Sequence, residues 1–161
     1  MTLKKIFKNT LLLISACLIL SACATQKTVT TGAQMQGDVY TGTDTVKELA
    51  PGVPDRVFFA TNESILTTAS RETLRKQAEY LRKNSSMNIV VEGHADERGT
   101  REYNLALGER RANAAKDYLM TYGISASRIS VISYGKERPV DSGSNTLAWS
   151  KNRRSVTVKA N

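Results

Sequence analysis

The chain has 161 residues, 40% apolar and 24% charged, with 23 Lys+Arg against 15 Asp+Glu and a formal net charge of +8. That length holds one globular domain plus extra segments, and 3 Pro, 10 Gly and 6% aromatics exclude collagen-like or uniformly low-complexity sequence. No apolar run approaches the roughly 20 residues of a membrane-spanning helix, and both cysteines, Cys17 and Cys23, lie at the N-terminal end, which excludes cysteine chemistry from the body of the chain.

In chain order, residues 1–22 place Lys4, Lys5 and Lys8 before an apolar stretch from Leu11 to Leu20. Consecutive apolar residues behind a basic flank read as an export signal, with Cys17 inside the discarded part. The junction Leu20-Ser21-Ala22-Cys23 resembles the lipobox of bacterial lipoproteins. That resemblance implies acylation of Cys23, and several acyl chains at about 0.8 kcal/mol per buried CH₂ anchor far more firmly than one. Ala24, where inner-membrane retention is typically signalled by Asp, implies the outer membrane, with the rest of the chain in the periplasm. Removal of residues 1–22 leaves 20 basic against 15 acidic residues, +5. With no RNP-like aromatic motif and no Cys/His finger, nucleic acid is not the expected partner.

Residues 23–54, rich in Thr, Gly and Pro and poor in large apolar side chains, read as a lipid-anchored flexible tether. Residues 55–161 read as the folded domain. Arg56–Ala60 predicts a strand, and 69–83 an amphipathic helix through Leu74, Ala78 and Leu81, capped by Thr67 or Thr68. Met87–Glu92 predicts a second strand. A loop from Gly93 to Thr100 leads to a helix over 101–122, with Thr100 as N-cap, Gly123 beyond its end, and an inner stripe of Leu105, Gly108, Ala112, Ala115 and Leu119. Strands follow at 129–134 and, with clean alternation, at 155–159; a long loop over 136–150 carries Trp149 near a short helical turn. The order β-α-β-α-β-β predicts an α/β (α+β sandwich) fold, a mixed sheet with helices on one face.

The run from Glu92 to Ala112, EGHADERGTREYNLALGERRA, concentrates the chemistry. Asp96 leaves the end of a strand, and Arg111 sits about two turns into the following helix. One reading is a clamp for a zwitterion, the acid holding an ammonium and the planar guanidinium holding a carboxylate bidentately. The other is an internal ion pair tying loop to helix, and residue types and spacing leave the two open. A periplasmic hydrolase using Asp96 or Glu92 as base would be a third, but no nucleophile motif, metal cluster or spaced carboxylate pair accompanies them. His94 is the sole histidine, so no metal site is expected, and a polar strand-end role fits it. Arg110, Arg153 and Arg154 read as solvated surface charges, and Trp149 and Tyr134 as packing residues.

This run, with Ser133–Pro139 (SYGKERP) and Asn152-Arg153-Arg154, resembles the signature of the OmpA-like peptidoglycan-binding domain, over residues 56–161. Together with the lipobox and tether, the chain is similar to the lipid-anchored branch of that family. The resemblance implies a non-enzymatic binding module without cofactor, whose ligand is the diaminopimelate of the peptidoglycan stem peptide. It carries over Asp96 and Arg111 as the ligand contacts, Asn104 and Leu107 as shapers of the groove, and Arg98 as a further contact. In the turn after the first strand the family commonly has Asp and this chain has Asn62, which implies one weakened contact there. The branch further implies TolB and other Tol proteins as partners, and roles in envelope integrity and cell division.

Overall fold

The computed structural model describes residues 35–160, so the export signal and Cys23 lie outside the described residues. Two short hairpins come first: β1 (Met35–Gln36) pairs antiparallel with β2 (Val39–Tyr40), and β3 (Glu48–Ala50) with β4 (Val53–Pro54). The expectation of a tether through residue 54 does not hold for this stretch. Its composition is poor in large apolar groups, but the few it has are inserted into the fold: Tyr40 and Leu49 are buried, and Tyr40 meets Phe58 edge-on with ring centroids 4.8 Å apart.

The main sheet contains β5 (Arg56–Phe58), β6 (Ile89–His94), β7 (Ile129–Gly135) and β8 (Arg154–Lys159), in the order β5-β8-β6-β7. β6 and β7 are parallel, and β8 runs antiparallel to both β5 and β6. Three parallel strands thus take a fourth inserted against them, and the parallel connections need crossovers. Helices α1 (Thr68–Lys83) and α2 (Arg101–Thr121) supply them.

Both helices begin where the sequence places their caps. Thr67 Oγ accepts from Ser70 N at 3.1 Å, and Thr100 Oγ from Tyr103 N at 3.2 Å. Gly123, with φ 84, follows the end of α2. The buried face of α1 includes Leu74, Ala78 and Leu81. On α2 it comprises Asn104, Leu107, Gly108, Arg111, Ala112, Ala115 and Leu119, so Leu107 replaces the expected Leu105 and two polar residues face inward. Gly93 and Gly108 let α2 approach β6 closely: a Cβ on Gly93 would fall 1.8 Å from the Gly108 carbonyl oxygen.

The apolar core joins Val57, Phe59, Ile89, Val91 and Ile129 of the sheet region to the helices. β8 lacks the expected alternation and is buried at four successive residues, Arg154–Thr157, because it lies between two strands. The expected loop over 136–150 ends in a third helix, α3 (Thr146–Asn152), capped by Asn145 Oδ1 accepting from Ala148 N at 3.0 Å.

Candidate functional site

The topology makes the site. β5 and β6 are parallel and β8 opposes both, so the segments leaving β5, leaving β6 and entering β8 meet at one end of the strands. Brought there are the Ala60–Glu63 turn, the Ala95–Gly99 loop and Arg153.

Asp96 is the central carboxylate, with its side chain 9% exposed. Its oxygens accept from Arg98 Nη2 at 2.7 Å, from Arg98 Nε at 3.1 Å and from the Arg98 backbone N–H at 3.1 Å. Arg153 Nη1 adds a contact at 3.4 Å. Burial works to raise the Asp96 carboxyl, but the Arg98 hydrogen bonds and charge, with Arg153, outweigh it and hold the group below the ordinary carboxylate range.

Arg111 is wholly buried. Nε donates to Glu63 O at 2.9 Å, Nη1 to His94 O at 2.9 Å and Nη2 to Ala60 O at 3.0 Å. Neither sequence reading of this residue appears as drawn: no fork opens to solvent, and Asp96 takes its ion pairs from Arg98 and Arg153 instead. Of five guanidinium N–H groups three are used, leaving one each on Nη1 and Nη2. Burial, then the nearby Arg153 charge, push its pKa down to about 10, so it stays cationic at neutral pH.

Arg153 corrects the surface reading. It is 1% exposed, with Nε donating to Phe59 O at 3.1 Å and Nη2 to the Asp38 carbonyl. Arg154 is buried too, and burial followed by Arg56 lowers its pKa to about 10. The available signal is position: Arg154 opens, and Arg153 immediately precedes, a strand whose next three residues, Ser-Val-Thr, are buried in the sheet.

Asn104 and Leu107 lie beneath the loop and not at its surface, at 1% and 3% exposure. Asn104 Nδ2 donates to the Arg98 and Thr100 carbonyls at 2.9 and 3.1 Å, holding the loop from below. Asn62 is exposed and has φ 58, a left-handed conformation that Asn tolerates. Thr61, Asn62, Arg98, Gly99, Thr100 and Tyr103 line a shallow open depression of about 510 Å³. Arg98 lies over the Trp149 ring at 4.4 Å, and Trp149 Nε1 donates to Glu97 Oε1 at 2.8 Å.

His94 ends β6 with its ring 2% exposed, its Nε2 lying 3.5 Å from Glu92 Oε2. Burial, then Arg154, Arg56 and Arg138, lower its pKa to about 3, so the imidazole is neutral. Among the described residues no three His, Cys, Asp or Glu side chains gather as metal ligands, and no helix is long and apolar enough to cross a membrane.

The OmpA family profile matches residues 58–153. The peptidoglycan-associated lipoprotein of Mesorhizobium japonicum is 45% identical over 145 residues, 89% of this chain and 86% of that one. The chain belongs to the OmpA family. A second peptidoglycan-associated lipoprotein, from Agrobacterium fabrum, is 42% identical over 97% of this chain and 90% of its own length. The crystal structure of the Burkholderia pseudomallei peptidoglycan-associated lipoprotein superposes with a TM-score of 0.64 at 35% identity, over 66% of this chain and 90% of that one. The C-terminal domain of Helicobacter pylori MotB shares the fold, at TM-score 0.62 and 20% identity, over 66% of this chain and 84% of that one. Membership of the family sets the chain among structural proteins and not enzymes.

Proposed function

We propose that the protein is an outer-membrane lipoprotein, acylated at Cys23, whose periplasmic domain binds peptidoglycan non-covalently through diaminopimelate. The observation that carries this reading is a charge imbalance at that end of the strands. Arg98, Arg111, Arg153 and Lys136 stand with Asp96, Asp38 and Glu97, four cations against three carboxylates, beside an open depression. Such a site favours a ligand that brings a carboxylate and also carries an ammonium for Asp96, and a free amino-acid centre of diaminopimelate has both on one carbon.

In this reading Asp96 receives the ammonium, with the flexible Arg98 side chain turning to the carboxylate. Arg111, behind the Ala60–Glu63 turn, adds its positive charge beneath that carboxylate. Asn62 contributes a neutral hydrogen bond, while Asn104 and Leu107 hold the loop and helix behind the site. The lipobox, together with the similarity to peptidoglycan-associated lipoproteins, supports the finer assignment: a tie between outer membrane and cell wall within the Tol system, with TolB as partner, serving envelope integrity and outer-membrane invagination in division.

Co-sedimentation with purified sacculi, competed by free diaminopimelate, tests the ligand. Binding that diaminopimelate releases is expected, and absence of sacculus binding overturns the proposal. Recovery of TolB with the tagged protein from envelopes tests the partnership.

A further inference from the structure

One residue of the first hairpin reaches into the site. Asp38, in the turn between β1 and β2, accepts the Thr61 backbone N–H on Oδ2 at 2.7 Å, across 23 positions of sequence. Its carbonyl accepts from Arg153 Nη2, and its carboxylate lies 3.9 Å from the same nitrogen. These are the two elements the ligand site depends on at that side. Thr61 opens the turn that walls the depression, next to the left-handed Asn62, and Arg153 is the buried cation against Asp96. The turn's lining side chains, Thr61 and Asn62, are neutral, and Asp38 brings a carboxylate to Thr61.

We infer that Asp38 is a positioning residue of the ligand site, which makes the β1–β2 hairpin part of that site and not a passive lead from the anchor. The inference rests on the peptidoglycan reading. Without the carboxylate, the Thr61 N–H loses its acceptor, the turn loses the bond that fixes its outer end, and Arg153 loses one of its counter-charges. The hydrogen bonds from Thr61 also hold the Asp38 carboxyl below its ordinary range, so the bond is made to a carboxylate at neutral pH.

The full chain is tested with Asp38→Ala and Asp38→Asn. Glu72→Ala serves as the control because it changes net charge equally at an exposed pair with Arg75 on α1. Sacculus affinity, melting temperature and exchange of the Thr61 amide are measured on each. Asp38→Ala is expected to weaken sacculus binding about fivefold to tenfold and to speed Thr61 exchange, with the melting temperature nearly kept. Asp38→Asn keeps an acceptor but not the charge, and about threefold weaker binding is expected. Glu72→Ala binds as the parent does. Either Asp38 variant folded and binding like the parent overturns the inference, as does an equal loss in Glu72→Ala. A parent that fails to bind sacculi overturns the peptidoglycan reading itself, a distinct result.

Discussion

Two arginines at opposite ends of the domain perform the same local task. Arg111, on α2, gives its donors to the carbonyls of Ala60, Glu63 and His94. Arg128, in the 3-10 turn Ala126–Arg128, gives its donors to those of Leu81, Asn84 and Met87, the end of α1 and the approach to β6. Each sews three backbone carbonyls together. Their surroundings differ: Arg128 borders the apolar core of Leu81, Ile89 and Ile129, whereas Arg111 lies fully buried within reach of the Arg153 and Asp96 charges. A guanidinium on carbonyls is therefore a structural device wherever it occurs. Only the excess charge around Arg111 points to a ligand.

The strongest way to break that comparison is Arg111→Ala. It strips the Ala60, Glu63 and His94 carbonyls of a charged donor and, the side chain being wholly buried, leaves a cavity, so stability should fall by on the order of 4 kcal/mol in urea unfolding. Sacculus binding by the residual folded protein should weaken more than about tenfold. Arg111→Lys should recover little of either, since an ammonium cannot reach three carbonyls in the plane of a fork. An Arg111→Ala protein that binds sacculi like the parent would remove Arg111 from the ligand site.

Arg128→Ala is the matched case. A loss of about 2 kcal/mol in unfolding is expected, because Arg128 is only half-buried and its truncation leaves less of a cavity. Sacculus affinity of the folded variant should stay at the parent value. An affinity loss as large as that of Arg111→Ala would mean that the carbonyl stitch alone, and not the charge around it, accounts for both.

The two ends should also differ in acid. The core end buries apolar groups, while the site end buries His94, which ionises near pH 6.5 in an unfolded chain and near pH 3 when folded. The unfolded chain therefore binds a proton that the folded chain refuses. Stability from this residue is complete above pH 6.5 and drains away as pH falls toward the folded value. Between pH 6.5 and about pH 5, before the carboxylates titrate, the loss should be about 1.5 kcal/mol. Denaturant titrations of the parent and His94→Gln should show that slope in the parent and its absence in the variant; equal slopes would place the proton uptake elsewhere.

How much of this was legible in the sequence follows from how local each signal is. Helix caps at Thr67 and Thr100 and the stop at Gly123 depend on neighbours a few residues away, and they stand as read. Arg153 looked like a surface cation because its partners, Phe59, Asp96 and Asp38, are 57 or more positions distant. Asp38 sat in a stretch whose composition reads as linker, and only the three-dimensional approach to Thr61 gives it a place. The Asp96–Arg111 juxtaposition was visible as spacing, but which carbonyls would occupy the guanidinium was not, since the Ala60–Glu63 turn lies about 50 residues earlier, as the separation of 51 between Arg111 and Ala60 shows.

The smallest expected effect sharpens the comparison most finely, because it uses two chemically identical caps. Thr67 and Thr100 each accept one backbone N–H at a helix start, at 3.1 and 3.2 Å. Replacing either with Ala should cost about 1 kcal/mol of stability. Thr100, however, lines the depression, and its carbonyl accepts from Asn104, the residue that also holds the Arg98 carbonyl. A loosened first turn of α2 should therefore shift the Arg98 loop, and Thr100→Ala should weaken sacculus binding about twofold to threefold beyond its effect on folding. Thr67→Ala should bind as the parent does once folded. Equal affinities for the two variants, measured at a temperature where both are fully folded, would show that the start of α2 takes no part in shaping the site.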